Sequence, residues 1–247
     1  MDETELGLVA TAECTSTNEL ARQAIETPGA PPAILALSDY QTAGEGRAGR
    51  QWFAPGGSDV LMTLGVRHPV PAGEPEPRLP LLCAALAARG VERACGLRLG
   101  TKWPNDLTDS ALRKVGGILV RNRRTHLAIG VGVNVNGLPE DYPGEFRPRV
   151  ATLRELLGTP LAREVVAAEM ASELLAFLMK RHPLDEEGLL DEWLARAAFF
   201  GQPLTLHRAG ALIQVIPLRL NRETGELVVR EADGAESVLS SAACIES

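Results

Sequence analysis

The sequence predicts an α+β fold with a main domain over residues 1–199 and a small β-rich domain over residues 200–247. Three observations lead to this prediction. A chain of 247 residues is long enough to bury one sizeable core but short for two full domains. In its first part, apolar segments typical of strands are interspersed with segments of helical periodicity. After Gly201 the apolar segments become short and are separated by turn residues, as in a small β-barrel.

The N-terminal elements are predicted to be a strand, a helix and a second strand. Residues 6–14 are rich in apolar side chains and are expected to form the first strand. Ser16, followed three residues later by Glu19, matches a capping box and predicts a helix through residues 20–25. After a break rich in proline and glycine, residues 33–40 predict a buried strand. That strand leads into a loop of glycine and arginine residues.

The middle of the chain continues this alternation of strands and helices. Residues 59–66 predict a strand, and the proline-rich residues 68–80 predict a connection. Residues 81–87 predict a helix because leucine and alanine are strong helix formers. Residues 96–102 predict a short strand that runs into the turn at residues 102–106.

The second half predicts a hairpin, a helical region and the small β-rich domain. Residues 115–120 and 127–135 are rich in β-branched side chains and separated by a short polar segment, which predicts an antiparallel hairpin. Residues 152–197 show helical periodicity and are expected to be helical. The last predicted strands are residues 204–207, 212–220 and 227–229, with turns at 221–225 and 232–234.

The composition argues against several classes of function. A formal net charge of -7 is unfavourable for a broad nucleic-acid-binding surface. The acidic N-terminus does not resemble a signal peptide, and no apolar run is long enough to cross a bilayer, so we expect a cytoplasmic protein with no membrane partner. The four cysteines lack the paired spacing of a zinc site or a disulfide framework.

The loop at residues 44–52 is the first candidate for ligand binding. Its start satisfies the glycine pattern of dinucleotide-binding proteins, but Pro55 prevents the helix that this pattern must open. We interpret the loop as a mobile flap in which Gly46 allows close backbone approach, while Arg47 and Arg50 offer guanidinium groups to a carboxylate or phosphate. The alternative is an ordinary glycine-rich turn with solvated arginines, and the loop alone does not decide between the two.

Two lysines flank predicted strands, and Lys102 lies at a strand end of the kind where sheets often bind ligands. Lys102 is suited to neutralise a phosphate, and Asp106 in the same turn is suited to hold Mg²⁺ or to orient another side chain. Lys114 precedes a strand whose first residues, including Gly116, have no bulk, so that a ligand carboxylate can lie against the backbone. The simpler interpretations are an Asx turn at Asp106 and a surface lysine at Lys114.

Two other places combine polar side chains with strand or helix ends. Asn134 lies between valines on a predicted strand and, if buried, requires a partner that a ligand can supply. Ser16, Thr17 and Asn18 are most simply a helix start, and helix starts also bind polar or anionic groups. The four histidines are too dispersed for a metal-ligand pair, and neither a Walker loop nor a nucleophile elbow occurs in the sequence.

Taken together and in this order, the motifs resemble those of bacterial biotin protein ligases. The resemblance spans nearly the whole chain and rests on five matches: the helix start 16–18, the loop 40–52, the turn 102–106, the strand 114–119 and the strand 130–134. It implies a central mixed or antiparallel sheet packed with helices, followed by an SH3-like β-barrel. It also implies an enzyme that uses ATP and Mg²⁺ to couple biotin, through biotinyl-5′-AMP, to a lysine of a biotin carboxyl carrier domain. Family members can pair as homodimers.

The resemblance implies a role for each matched residue. The implied biotin-binding residues are Ser16, Thr17, Asn18, Gln41, Gly46, Arg47, Lys114 and Gly116. The implied nucleotide-binding residues are Arg50, Trp52, Lys102, Asn105 and Asn134. The implied catalytic residues are Arg47, Lys102, Asp106 and Lys114, with Asp106 also as the Mg²⁺ ligand.

The sequence departs from the family pattern at two places. Glu45 stands where the family's loop has its first arginine, which puts a carboxylate beside an anion site. Residues 241–244 stand where the family has Gly-Glu-Val near the end of the barrel. Because Ser16 is so close to the N-terminus, we expect a ligase without a DNA-binding arm. The alternatives are a lipoate or octanoate ligase and a biotin-sensing protein that has lost catalysis.

Overall fold

A computed structural model describes residues 5–67, 77–208, 211–240 and 244–245. These residues form a mixed seven-stranded sheet packed with helices, followed by a five-stranded antiparallel sheet. The predicted α+β class with a small C-terminal β-domain is therefore confirmed. The predicted boundary between residues 199 and 200 stays a prediction. Residues 68–76 of the predicted connection, and residues 241–243 at the divergent end, lie outside the described residues.

The large sheet has the strand order β1-β2-β3-β7-β6-β5-β4. Its strands are β1 Leu6–Cys14, β2 Ala33–Gln41, β3 Val60–Arg67, β4 Gly100–Lys102, β5 Asp106–Thr108, β6 Lys114–Asn122 and β7 His126–Val133. β1 pairs with β2 in parallel, and the other neighbouring strands pair antiparallel. The predicted hairpin is confirmed as β6 and β7, in which Gly117 lies opposite Gly132. The strand predicted over residues 96–102 is shorter than expected, since pairing begins at Gly100.

Five α-helices accompany these strands within the described part of the chain. They are α1 Thr17–Glu26, α2 Leu79–Cys95, α3 Leu153–Leu157, α4 Arg163–Leu178 and α5 Glu186–Arg196. Ser16 caps α1 as predicted, because its hydroxyl accepts a hydrogen bond from Glu19 N. The helical region predicted over residues 152–197 is divided into three helices. The first of these ends at Gly158, whose φ of 75° is a left-handed conformation that glycine adopts readily.

Helices cover both faces of the large sheet, and β3 shows how. Met62 and Leu64 belong to the main hydrophobic core together with residues of α2 and α4. Thr63 and Gly65 point to the other face, where Thr63 hydrogen-bonds to Thr17 of α1 and Gly65 lies against α1. Because side chains alternate along a strand, the residues of β6 and β7 divide in the same way. Small residues on the α1 face leave space for a cavity.

The C-terminal sheet is antiparallel, with β12 returning to pair with β8, and it packs against the main domain. Its strands are β8 Leu204–Arg208, β9 Ala211–Leu220, β10 Leu227–Arg230, β11 Glu236–Leu239 and β12 Cys244–Ile245. The predicted turn before β10 is confirmed, with Gly225 N donating to Asn221 O at 2.8 Å. The carbonyl of Gly225 accepts a hydrogen bond from the buried indole of Trp103 at 2.9 Å. The small domain thus contacts the turn that carries the predicted site residues 102–106.

Among the residues that the structure describes, no helix combines the length and the apolar character needed to cross a bilayer.

Candidate active site

A cavity of about 520 Å³ opens on the α1 face of the large sheet. Its walls come from β6 and β7, the N-terminus of α1, the loop at residues 44–52, the turn at residues 103–106 and residues 142–150. The predicted site residues that line it are Thr17, Asn18, Gln41, Gly46, Arg47, Arg50, Trp52, Asn105, Asp106, Lys114 and Asn134. Five motifs that are far apart in sequence therefore meet at one cavity.

At one end of the cavity the polar side chains of Thr17, Asn18 and Gln41 are uncharged, and the carboxylate of Glu45 lies at the rim beside them. Gln41 Oε1 accepts hydrogen bonds from Thr17 N at 2.7 Å and from Thr17 Oγ1 at 3.1 Å. This leaves the amide nitrogen of Gln41 as the group that it can offer a ligand. Asn18 is buried beside Gly130, where an added Cβ would come within 3.1 Å of the Asn18 carboxamide. These donors and acceptors suit a neutral polar ring.

The loop at residues 44–52 folds back on itself as a small hairpin over the cavity. Gly46 N donates to Arg50 O at 2.7 Å, and Trp52 N donates to Gly44 O at 2.9 Å. A Cβ on Gly44 would approach Trp52 O to 2.5 Å, so glycine is required for this close return. The described loop contains a single short 3-10 turn, Arg47–Gly49, and no longer helix follows it. The loop therefore lacks the helix that a dinucleotide-binding motif would open.

Trp52 anchors the loop on the sheet. Its indole lies on Gly132 and Gly117, where added Cβ atoms would approach ring carbons to 2.5 Å and 3.2 Å, respectively. Lys114 Nζ lies 5.5 Å from the Trp52 ring centroid, within the range of a cation–π contact. The two glycines thus form a flat platform for the indole, and the indole closes one side of the cavity.

The other end of the cavity is cationic. Lys114 Nζ lies 2.6 Å from Asp106 Oδ1, and both groups line the cavity. Arg47 Nη1 donates to Asn105 Oδ1 at 3.3 Å, while Asn105 Nδ2 donates to Ile118 O. Together these contacts place a lysine and an arginine on either side of the turn at residues 103–106.

Lys102 lies behind this surface instead of lining the cavity. It is opposite Asp106 in the β4–β5 pair and almost fully buried. Burial lowers the pKa of Lys102; Asp106 opposes this effect, and the charges of Lys114, Arg149 and Arg50 add to it. A bound anion would offset these positive charges. This cluster of positive charges therefore favours the binding of a polyanion at this end of the cavity.

Three predicted residues take other positions than expected. Gly116 faces away from the cavity, because the space of its missing Cβ is bounded by Gly132 O at 2.8 Å and Leu107 at 3.3 Å. Gly117, the next residue on β6, lines the cavity in its place. Ser16 caps α1 and, like Lys102, does not line the cavity.

The family comparison is consistent with this geometry. Residues 11–135, which contain most of these motifs, match the model of the Biotin/lipoate A/B protein ligase family. The chain belongs to this family.

Within the family, the chain groups with the biotin protein ligases, as its motifs predicted. It is 30% identical over 223 residues to the biotin–[acetyl-CoA-carboxylase] ligase of Paracoccus denitrificans, covering 85% of this chain and 90% of that protein. It is 35% identical over 153 residues to the bifunctional ligase/repressor BirA of Bacillus subtilis, covering 60% of this chain and 46% of that protein. The chain thus matches less than half the length of this Bacillus relative.

A solved biotin protein ligase has the same fold. The enzyme from Aquifex aeolicus, in complex with biotin and ATP, superposes with a TM-score of 0.76 and 23% identity. The superposition covers 97% of this chain and 98% of the Aquifex chain. This likeness extends over both sheets of this family member and confirms the predicted architecture.

Sequence reasoning missed the cavity wall that follows β7. Tyr142, Phe146, Arg149 and Val150 line the cavity from a segment without regular periodicity. Asp59 anchors this segment, since Asp59 Oδ2 accepts from Tyr142 Oη at 2.8 Å. The sequence feature that could have indicated this wall is a cluster of aromatic and cationic residues in a proline- and glycine-rich stretch.

Asn134 fastens that same segment to the sheet. Its amide nitrogen donates to Lys114 O and to Ala151 O, each at 3.2 Å. The donors of Asn134 are therefore used within the protein, and its place in the cavity wall is mainly structural.

The geometry does not fit Asp106 as a dedicated magnesium ligand. The ammonium group of Lys114 already lies against its carboxylate. Over residues 5–67, 77–208, 211–240 and 244–245, no three His, Cys, Asp or Glu side chains form a group that could hold a metal ion.

Proposed function

We propose that the chain is an ATP-dependent ligase that attaches biotin to a lysine of a biotin carboxyl carrier domain. One observation carries this proposal: a neutral polar end and a cationic end share a single cavity beneath a single loop. Biotin has the matching form, with a neutral ureido ring at one end and a carboxylate at the other. The Paracoccus relative, which the chain matches over most of its length, bears this activity in its name.

The proposed reaction has two steps. An oxygen of the biotin carboxylate attacks the α-phosphorus of ATP, and pyrophosphate leaves, which gives biotinyl-5′-AMP. The neutral amine of a carrier lysine then attacks the acyl carbon. The new amide bond forms as the acyl C–O bond breaks, AMP leaves with the electron pair, and the surplus amine proton passes to solvent.

Residues at the neutral end would orient biotin. We propose that Thr17, Asn18 and Gln41 hydrogen-bond to its ureido ring, because they are the polar side chains at that end of the cavity. The fused ring and acyl chain would then run along the wall formed by the Leu119 side chain and the backbone of Gly130, which lie opposite each other on the cavity face. This direction brings the carboxylate beneath the loop and towards Lys114.

Residues at the cationic end would bring two anions together. The first step joins a carboxylate to a phosphate, so fixed positive charges lower the barrier by neutralising both. Arg47 and Lys114 line the cavity at this point, and Lys102 adds its charge from behind. Trp52 and the loop would also exclude water, which otherwise hydrolyses the mixed anhydride.

The adenosine is proposed to lie against the wall after β7. Tyr142 and Phe146 offer aromatic surface there, and Arg149 lies on the same segment close to Lys102. Aromatic side chains stack on bases without requiring a particular hydrogen-bond pattern.

The test is transfer of radiolabelled biotin to a purified biotin carboxyl carrier domain in the presence of Mg·ATP. We expect label on the carrier, and no label on a carrier whose acceptor lysine is replaced by arginine. Labelled lipoate is assayed beside biotin. Transfer of lipoate but not biotin would support a lipoate-type ligase, and tight biotin binding without transfer would support a biotin sensor.

A further inference from the structure

Glu45, the carboxylate that replaces an arginine in the loop motif, has two partners in the structure. Its Oε1 accepts a hydrogen bond from Ser16 Oγ at 3.2 Å. Its Oε2 lies 3.3 Å from Arg121 Nη2. The carboxylate therefore joins the loop to the N-terminus of α1 on one side and to β6 on the other.

Arg121 is placed on the cavity face of β6 by strand alternation. Gly117 and Leu119 line the cavity, and Arg121 is the next residue on that face. The side chains of Arg121 and Glu45 are 41% and 37% exposed, so the pair lies at the cavity rim and not in the core. At this place it can hold the edge of the loop without occupying the space beneath it.

Two positive features flank the Glu45 carboxylate. The carboxylate lies beside the N-terminus of α1, where the partial positive charge of the helix stabilises an anion. Arg121 supplies a full positive charge on the other side. Arg121 and the N-terminus of α1 thus balance the negative charge of Glu45 at the rim. This reduces the repulsion between Glu45 and an anion bound at the cationic end.

We propose that Arg121 is a positioning residue that holds the loop closed over the cavity through Glu45. In this chain the positive charge is carried by β6 and the negative charge by the loop. The contact orders the loop before ligand binds. Its consequence for catalysis, slower escape of biotinyl-5′-AMP, rests on the proposed function, whereas closure of the loop does not.

The direct test is limited trypsin cleavage of the ligand-free full chain at Arg47 and Arg50, which lie in the loop. We expect Glu45→Gln and Arg121→Gln each to raise the cleavage rate about two- to five-fold, the range for a partly exposed ion pair. Because either change breaks the same contact, the double variant should be cleaved no faster than the singles. The charge-swapped variant, Glu45→Arg with Arg121→Glu, should restore most of the protection when cleavage after Arg47 and Arg50 alone is quantified by mass spectrometry, because Glu45→Arg adds a trypsin site of its own.

The matched control is the exposed pair of Arg219 and Glu236 in the small domain, 2.9 Å apart. Glu236→Gln and Arg219→Gln should leave cleavage of the loop unchanged. The proposal is overturned if the Glu45 and Arg121 variants are cleaved at the wild-type rate, or if their effects add as independent changes.

A second measurement follows the half-time for release of biotinyl-5′-AMP in the absence of carrier. Glu45→Gln and Arg121→Gln should shorten it by the same factor, with kcat for transfer less affected than retention. A wild-type chain that forms no adenylate would overturn the proposed function. The cleavage rates would still decide the role of Arg121.

Discussion

The buried carboxyl of Asp59 makes the stability of the protein depend on pH in a predictable way. The residue is 1% exposed, and burial raises its pKa from 3.8 to about 6, although hydrogen bonds from Val135 N and Tyr142 Oη oppose the rise. Because the folded state binds the proton more tightly than the unfolded state, ionisation of Asp59 destabilises the fold. Its contribution is most favourable below about pH 4 and is lost as the pH rises through about 6.

The magnitude follows from the two pKa values. One pH unit corresponds to about 1.4 kcal/mol, so the change from 3.8 to about 6 amounts to about 3 kcal/mol. The carboxamide introduced by the variant Asp59→Asn cannot titrate in this range. Because the carboxyl of the unfolded chain is already partly ionised at pH 4, we expect the free energy of unfolding of wild type, minus that of the variant, to fall by about 2.5 kcal/mol between about pH 4 and pH 7.5.

The assay is urea unfolding of both proteins at several pH values. Taking the difference cancels the titration of the other carboxylates, provided that the variant folds in the same way. Tyr142→Phe removes a hydrogen bond that lowers the pKa of Asp59, so in this variant the decline should extend to higher pH. A difference between wild type and Asp59→Asn that stays constant with pH would show that the pKa of Asp59 is not raised in the folded protein.

Three further changes test the site and the interface. Gly132→Ala places a Cβ 2.5 Å from the Trp52 ring, so biotin affinity should fall at least ten-fold in titration calorimetry, whereas Gly144→Ala, which meets nothing within 4 Å, should bind normally. Lys114→Ala should lower adenylate formation by about 100-fold or more while circular dichroism stays native; unchanged activity would remove the residue from the site. Trp103→Phe removes the hydrogen bond to the small domain and should lower the free energy of unfolding by about 1–2 kcal/mol in urea titrations; an unchanged value would show that this contact does not stabilise the fold.

The parts of the site that could be predicted are those carried by short motifs. Asp106 is a candidate because it follows a strand end, where sheets often bind ligands, and Lys114 is a candidate because the glycines after it let a ligand lie against the backbone. Their mutual ion pair was not foreseen, because it depends on how β5 and β6 align. Strand pairing is a property of the whole sheet, and no local pattern specifies it.

The parts that were missed depend on contacts between distant segments. In the sequence, Arg121 is an ordinary charged residue near the end of a predicted strand. Only the fold of the loop places Glu45 beside it. Tyr142 lies in a segment without periodicity, and its position is set by the buried Asp59, 83 residues away. The fold was easier to predict because strand and helix periodicities reflect burial, which every core element shares.

We propose above that this cavity makes an adenylate from biotin and ATP. The most direct measurement is exchange of labelled pyrophosphate into ATP, because it reports the first step without any carrier. We predict exchange that depends on biotin, is not supported by lipoate, and is strongly reduced in Lys114→Ala. Exchange with lipoate but not with biotin, or no exchange despite tight biotin binding, would contradict this claim.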